Sequence, residues 1–160
     1  MAITYEPIAT TTLSSSQSSV TFSSISGSYT DWIVVVAGTV SAGVAIQLQF
    51  NDDTGTNYSE TDLYGYGSGY GSGRGSNETG AYCGDMGTVQ SNTIIQIMDY
   101  SNTTTYKTVL SRGNSTNGFA IARVAMWRNT SAITKVLAKL SSSATYSSGT
   151  VVTLYGVLAA

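Results

Sequence analysis

Residues 94–112, IIQIMDYSNTTTYKTVLSR, decide the fold class of this chain. Two apolar runs, 94–100 and 106–112, flank the polar link Ser101-Asn102-Thr103-Thr104-Thr105. In the first run Ile95 and Ile97 fall on one face, while Ile94, Gln96, Met98 and Tyr100 fall on the other. That period of two belongs to a strand. Ser, Asn and Thr side chains hydrogen-bond nearby backbone and stabilise turns. The spacing therefore predicts an antiparallel hairpin with a five-residue loop. Residues before it carry eight of the nine acids, and residues after it carry four bases and no acid.

Composition supports an all-β reading. The chain has 160 residues, 24 Ser, 23 Thr, 17 Gly, 11 Tyr and a single Pro, and only 10% of it is charged. A typical globular domain is about 25% charged. Ser, Thr and Tyr are strand and turn formers, and the length predicts one domain with a real core. A net charge of −2 does not favour nucleic acid, whose binding calls for a basic surface. Cys83 stands alone, so no internal disulfide framework is available. Without any His, Ser-His and Cys-His catalysis and the commonest zinc ligand are absent. No apolar run approaches a membrane span, and the first ten residues lack the basic and apolar parts of a secretory signal. No cofactor is implied.

Working outward, residues 1–30 read as a polar arm of the same domain, with a short strand around Val20 and Phe22 and outlying contacts at Ile8 and Leu13. Such an arm packs on its own domain or reaches a neighbour. Residues 31–160 then form the sandwich domain. Residues 32–40, WIVVVAGTV, predict a strand buried on both faces. Residues 45–50, AIQLQF, alternate with Ile46, Leu48 and Phe50 inward and Gln47 and Gln49 outward, and a tight turn at 41–43 makes the two a hairpin. Asn51-Asp52-Asp53-Thr54-Gly55 reads as an Asx turn, with calcium as the alternative; the spacing does not match an EF-hand loop.

Residues 60–66 predict a weak strand. The biased stretch after it, GYGSGYGSGRGS at 65–76, predicts a mobile surface loop, because glycine at alternate positions weakens a strand. Tyr64, Tyr66, Tyr70 and Arg74 make this loop the candidate contact for a partner or glycan, since Tyr on a Gly/Ser background supplies contact area with adaptability. Residues 81–85 predict a short strand and residues 112–118 a turn-rich connection. Residues 119–127, FAIARVAMW, place Phe119, Ile121, Arg123, Ala125 and Trp127 on one face; the small opposite face suggests a further packed layer. Arg123 needs a carboxylate partner there. Residues 133–140 have apolar residues at helical spacing but strand neighbours, and read as a strand. Residues 151–158 close the chain as a strand in which Gly156 marks a bulge or close approach. About ten strands at this spacing predict an antiparallel β-sandwich, jelly-roll-like.

Charge divides along the chain. Residues 1–106 hold all 9 acids and one base, Arg74, for −8; residues 107–160 hold 6 bases and no acid, for +6. Either strands of the two halves interleave and pair, or a basic face bearing Arg123, Arg128, Lys135 and Lys139 meets an acidic face on a neighbour. Five Asn-x-Ser/Thr sequons are what an Asn/Ser/Thr-rich chain contains by chance.

The opening YEPIATTTLSSSQSSVTFSSISGSYTD, the segments LQFNDDTGTNYSETDLYG and IIQIMDYSNTTTYKTVLSR, and the ending WRNTSAIT…SSGTVVTLYGVLAA resemble a family of small structural proteins of tailed phages of cyanobacteria and other aquatic bacteria. The resemblance runs through nearly the whole chain in order, on turn and strand segments and not on active-site motifs. It implies a non-enzymatic virion structural protein, made in the host cytoplasm and exposed on the particle. The first expectation is a capsid decoration (cement) protein, a homotrimer bound to the major capsid protein or other virion proteins. The alternative is a tail-fibre or adhesion module holding host polysaccharide. Neither nucleic acid nor membrane is an expected partner. A two-carboxylate glycosidase would have to use Asp52, Asp53, Glu60 or Asp62, which lack an apolar setting in the sequence.

Overall fold

A computed structural model describes residues 4–25 and 27–158; residues 1–3 and 26 of the expected N-terminal arm and the last two residues lie outside it. The chain is all-β. Among the described residues twelve strands run in order: β1 (Tyr5–Thr12), β2 (Ser19–Ser23), β3 (Asp31–Gly38), β4 (Val44–Phe50), β5 (Tyr58–Tyr66), β6 (Gly69–Glu78), β7 (Ala81–Met86), β8 (Ser91–Ile97), β9 (Lys107–Ser115), β10 (Phe119–Trp127), β11 (Lys135–Leu140) and β12 (Val151–Val157). They form an antiparallel eight-stranded sheet, β1-β12-β3-β8-β9-β10-β5-β6, and a four-stranded sheet, β2-β11-β4-β7. The sandwich holds, with twelve strands in place of about ten.

The core lies between the sheets and follows from alternation. Trp32, Val34 and Val36 of β3, Ile95 and Ile97 of β8, Val109 of β9 and Trp127 of β10 point inward from the large sheet. Phe22, Ile46, Leu48, Phe50, Val136 and Leu140 meet them from the small one. Rings organise its two ends: Phe50 and Trp127 have centroids 5.5 Å apart, and Tyr100 stacks on Trp32 at 3.8 Å.

The central hairpin forms, with Ile97 opposite Val109, but its connection covers residues 98–106 and is longer than expected. The Met98 N–H still reaches the Thr108 carbonyl at 3.0 Å, but Asp99, at φ 47°, begins a turn whose carbonyl accepts from the Asn102 N–H at 3.0 Å, and Tyr100 stacks on Trp32. Asn102 holds the loop, its Oδ1 accepting from the N–H of Thr104 (2.7 Å) and Thr105 (2.9 Å). Lys107 is buried and donates through Nζ to the carbonyls of Thr105 (3.0 Å) and Thr130 (3.1 Å). Burial lowers its pKa, and Asp99 partly opposes this.

The expected hairpin of residues 32–50 does not form. β3 and β4 lie in different sheets, and residues 39–43 arch between them. An arch brings the apolar faces of Trp32/Val34/Val36 and Ile46/Leu48/Phe50 towards each other, whereas a hairpin would set them side by side. Nor is β3 buried on both faces, since Ile33, Val35 and Ala37 are only half-buried. Gln47 and Gln49 lie on the face opposite Ile46, Leu48 and Phe50, as expected, but are buried there; Gln49 Nε2 donates to the Thr79 carbonyl at 2.7 Å, and Gly80 sits against Gln47.

Both N-terminal strands join these sheets. β1, which the sequence reading missed, pairs with β12 at one edge of the large sheet, and β2 pairs with β11 at an edge of the small one. Pro7 sits in that edge strand beside a register shift at Pro7/Ala9, where a missing donor is tolerated. Residues 135–140 are a strand, as expected. Gly156 marks a close approach: a Cβ there would lie 2.3 Å from the Tyr29 ring.

Gly38 ends β3 at φ 155°, and a Cβ there would lie 2.4 Å from Thr150 Oγ1 and 2.8 Å from Thr150 Cα. Gly38→Ala is expected to cost about 2 kcal/mol through overpacking, a fall in Tm of roughly 5 °C. An unchanged melting curve would mean that the ends of β3 and β12 shift freely.

Candidate functional site

The stretch expected to be a mobile loop is a hairpin. β5 and β6 pair from Tyr66↔Gly69 onwards across the two-residue turn Gly67-Ser68. Gly67 has φ 56°, which suits the first central position of a type II′ turn. Glycine recurs at alternate positions of β6 because the side chains of β5 lie across it. A Cβ on Gly71 would meet Tyr64 Oη at 2.6 Å, one on Gly73 would meet Asp62 Oδ1 at 2.8 Å, and one on Gly75 would meet Glu60 Oε1 at 2.5 Å. Packing thus overrides the weak strand propensity of glycine.

These side chains border the open side of the sandwich, where β5 and β10 of the large sheet face β7 of the small one. Arg123, on the inward face of β10, donates through Nε to Asp62 Oδ2 of β5 at 3.2 Å and through Nη1 to Asp85 Oδ1 of β7 at 2.7 Å. The same Nη1 also reaches the Cys83 carbonyl. Its expected carboxylate partner is therefore two carboxylates, one from each sheet. Beside this triad, Asp62, Tyr64, Tyr66, Asp85, Phe119, Ile121 and Arg123 line an open cleft of about 290 Å³.

The four expected contact residues divide between two faces. Tyr64 and Tyr66 look into this cleft, whereas Tyr70, 90% exposed, and Arg74 project from the outer face of β6. The four candidate interface bases do not converge either. Arg123 is enclosed by the triad. Arg128 donates to the Thr56 carbonyl (2.6 Å) and Asn77 Oδ1 (3.0 Å). Lys135 pairs with Asp52 at 2.6 Å, and Lys139 lies further along β11. Three ion pairs among the described residues all join the acidic first part of the chain to the basic last part, which favours the interleaved reading of the charge blocks.

The turn at 51–55 is held by protein donors. Asp53 accepts from Trp127 Nε1 (2.7 Å), Asn57 Nδ2 (3.0 Å) and the Gly55 N–H (2.9 Å). Burial works to raise its pKa, but the donors of Trp127, Asn57 and Gly55 outweigh it and hold the carboxyl below its ordinary value. Asp52 turns away to Lys135, so the two carboxylates do not share a ligand position. No cluster of three potential metal ligands occurs among the described residues. Cys83 is fully buried, and burial pushes its thiol up to about 12 against the pull of Arg123. At neutral pH it is a thiol and a poor nucleophile.

A second surface was missed in sequence. Among the described residues none forms a covering layer on the outer face of the large sheet, although the small residues of β10 predicted one. Val35, Ile94, Arg112, Ala122 and Leu63 align in one cross-strand row, and Ile33, Gln96, Leu110, Val124 and Thr61 in the next. Leu63 is 66% exposed and Val124 50%. Residues 119–127 did carry the signal: both faces of that strand are apolar, and a two-layered protein can bury only one.

Burial and the Glu78 charge, then Asp62 against the opposing Arg123, raise the Glu60 carboxyl above its ordinary 4.5. Burial likewise raises Asp85, although Arg123 opposes it. A carboxyl whose pKa is raised by folding favours the fold while protonated, and this contribution disappears as pH rises through the folded value. Glu60→Gln is therefore expected to raise Tm at pH 7, with the gain over wild type shrinking as pH is lowered towards 4.5. Differential scanning calorimetry across that range checks it; a constant difference would exclude Glu60 ionisation as the cause. No family model, curated protein or solved structure matches this chain.

Proposed function

We propose that this protein is a non-enzymatic virion structural protein, a decoration protein that binds the phage head shell and stabilises it. The observation that carries this reading is the uncovered outer face of the eight-stranded sheet. It is broad, built on continuously paired strands, and carries Leu63, Ile94, Leu110, Val124 and Met126 exposed. Apolar faces of this kind rimmed by polar residues mark interaction sites. Burying such area contributes about 25 cal/mol per Å². Arg112 and Arg74 stand on the same face without an ion-pair partner among the described residues, ready to set register against carboxylates of a shell protein. A ligand that binds only the assembled shell stabilises it by mass action. Of the other bases Arg123 and Lys135 pair with carboxylates within the domain, and the net charge is only −2, which suits association through shape and apolar contact.

The cleft beside Arg123 favours the adhesion module as a second reading. Tyr64, Tyr66 and Phe119 offer ring faces next to the carboxylates of Asp62 and Asp85. That pairing of aromatic and polar groups suits a sugar of a host polysaccharide.

Co-sedimentation with empty expanded capsids and with whole host cells tests both. Decoration predicts saturable binding to capsids that Val124→Glu weakens at least about tenfold by placing a charge in the apolar contact. Tyr64→Ala and Tyr66→Ala should leave it unchanged. Binding to cells alone, lost with the tyrosine variants and kept in Val124→Glu, would replace decoration with adhesion.

A further inference from the structure

We infer that β6 is a second association site, at which two copies of this chain join their eight-stranded sheets edge to edge about a two-fold axis at Ser72. The two outer edges of that sheet differ. β1 carries Pro7 and a register shift, devices that blunt an edge against pairing. β6 runs regularly from Gly69 to Ser76 without a Pro, and its register shift comes only at Tyr58/Ser59, opposite its far end. A two-residue hairpin turn makes Tyr66↔Gly69 a hydrogen-bonded pair, and such pairs alternate along an antiparallel ladder. The glycines of β6 therefore direct their N–H and C=O groups to β5. Tyr70, Ser72 and Arg74 direct theirs to the open edge.

The sequence of that edge is self-complementary. Gly69-Tyr70-Gly71-Ser72-Gly73-Arg74-Gly75 reads alike in both directions, except that Tyr and Arg exchange places. Antiparallel pairing centred on Ser72 sets Ser72 against its copy and Tyr70 against Arg74 twice, each pair exchanging backbone hydrogen bonds. Tyr70 is 90% exposed and Arg74 has no ion-pair partner among the described residues, so the guanidinium of one copy can lie on the ring of the other. Centring on Arg74 would oppose two like charges instead.

The inner face contributes an independent observation. Asp62 gives Oδ2 to Arg123, while its Oδ1, lying over Gly73, is buried without a hydrogen-bond partner. Tyr64 reaches across to Gly71, with its hydroxyl at the edge. In the Ser72-centred register Gly73 of one copy opposes Gly71 of the other. The Tyr64 hydroxyl of one copy then comes beside the orphan oxygen of Asp62 in the next and donates to it. A buried acceptor left unsatisfied within one chain is satisfied by a second.

This contact does not depend on how the protein meets a particle. Sedimentation equilibrium of the full chain should give twice 16.7 kDa. Ser72→Pro removes an edge N–H that β5 does not use, and should give monomer with an unchanged far-UV spectrum. Tyr70→Lys, at a fully solvated position, should also give monomer by opposing Arg74. Tyr64→Phe should raise the dimer dissociation constant about tenfold, and Val124→Glu should leave it unaltered. A wild-type monomer at every concentration up to about 100 µM, or a dimer indifferent to Tyr70→Lys and Tyr64→Phe, would overturn the inference. A dimer that persists while capsid binding fails would remove the decoration reading and leave this one standing.

Discussion

One guanidinium ties the open side of this molecule. Arg123 reaches Asp62 in the large sheet and Asp85 and the Cys83 carbonyl in the small one. Elsewhere the sheets adhere mainly through apolar side chains, which constrain distance more than register, joined by the Tyr58 hydroxyl accepting from the Phe50 N–H and by Trp127 Nε1 donating to Asp53. A buried charge differs, because removing its partners leaves a cost of several kcal/mol. It therefore fixes how β10, β5 and β7 meet. The neighbouring features share that position: the cleft beside the triad and the side chains of β5 lying over β6, while burial there raises the Asp85 and Glu60 carboxyls against the pull of Arg123.

The separation of charge along the chain acquires a topological meaning. β5 and β7 come from the acidic part, while β10 and β11 come from the basic part. Sheet order places them side by side or face to face, so that Arg123 and Lys135 each find a carboxylate distant in sequence. A chain whose halves each repel themselves gains from interleaving them, and a nearly neutral exterior remains.

Local alternation was legible wherever one face alone was buried. Ile95 and Ile97, the inward set from Ile121 to Trp127, and residues 151–157 follow their pattern, and Arg123 announced its need for carboxylates. Three things were not. Whether residues 39–43 make a hairpin or an arch depends on which sheet each strand joins, and neither strand encodes that locally. The glycine-rich strand looked too permissive to be ordered, because its order comes from Tyr64, Asp62 and Glu60 lying across it. β1 was hidden by polar residues, since an edge strand with exposed or half-buried side chains has no apolar face to betray it. Of the candidate site, the tyrosines were found, but their division between the cleft and the outer face required the pleat of an actual hairpin.

Cys83 lies at the inner end of this arrangement, in β7 and fully buried, its thiol held protonated and its carbonyl engaged by Arg123. It is also the chain's sole cysteine. A thiol-reactive dye can therefore report only when β7 parts from the large sheet. The protein carries a built-in clock for that opening, readable without altering a residue, and its rate measures how firmly the two sheets are latched.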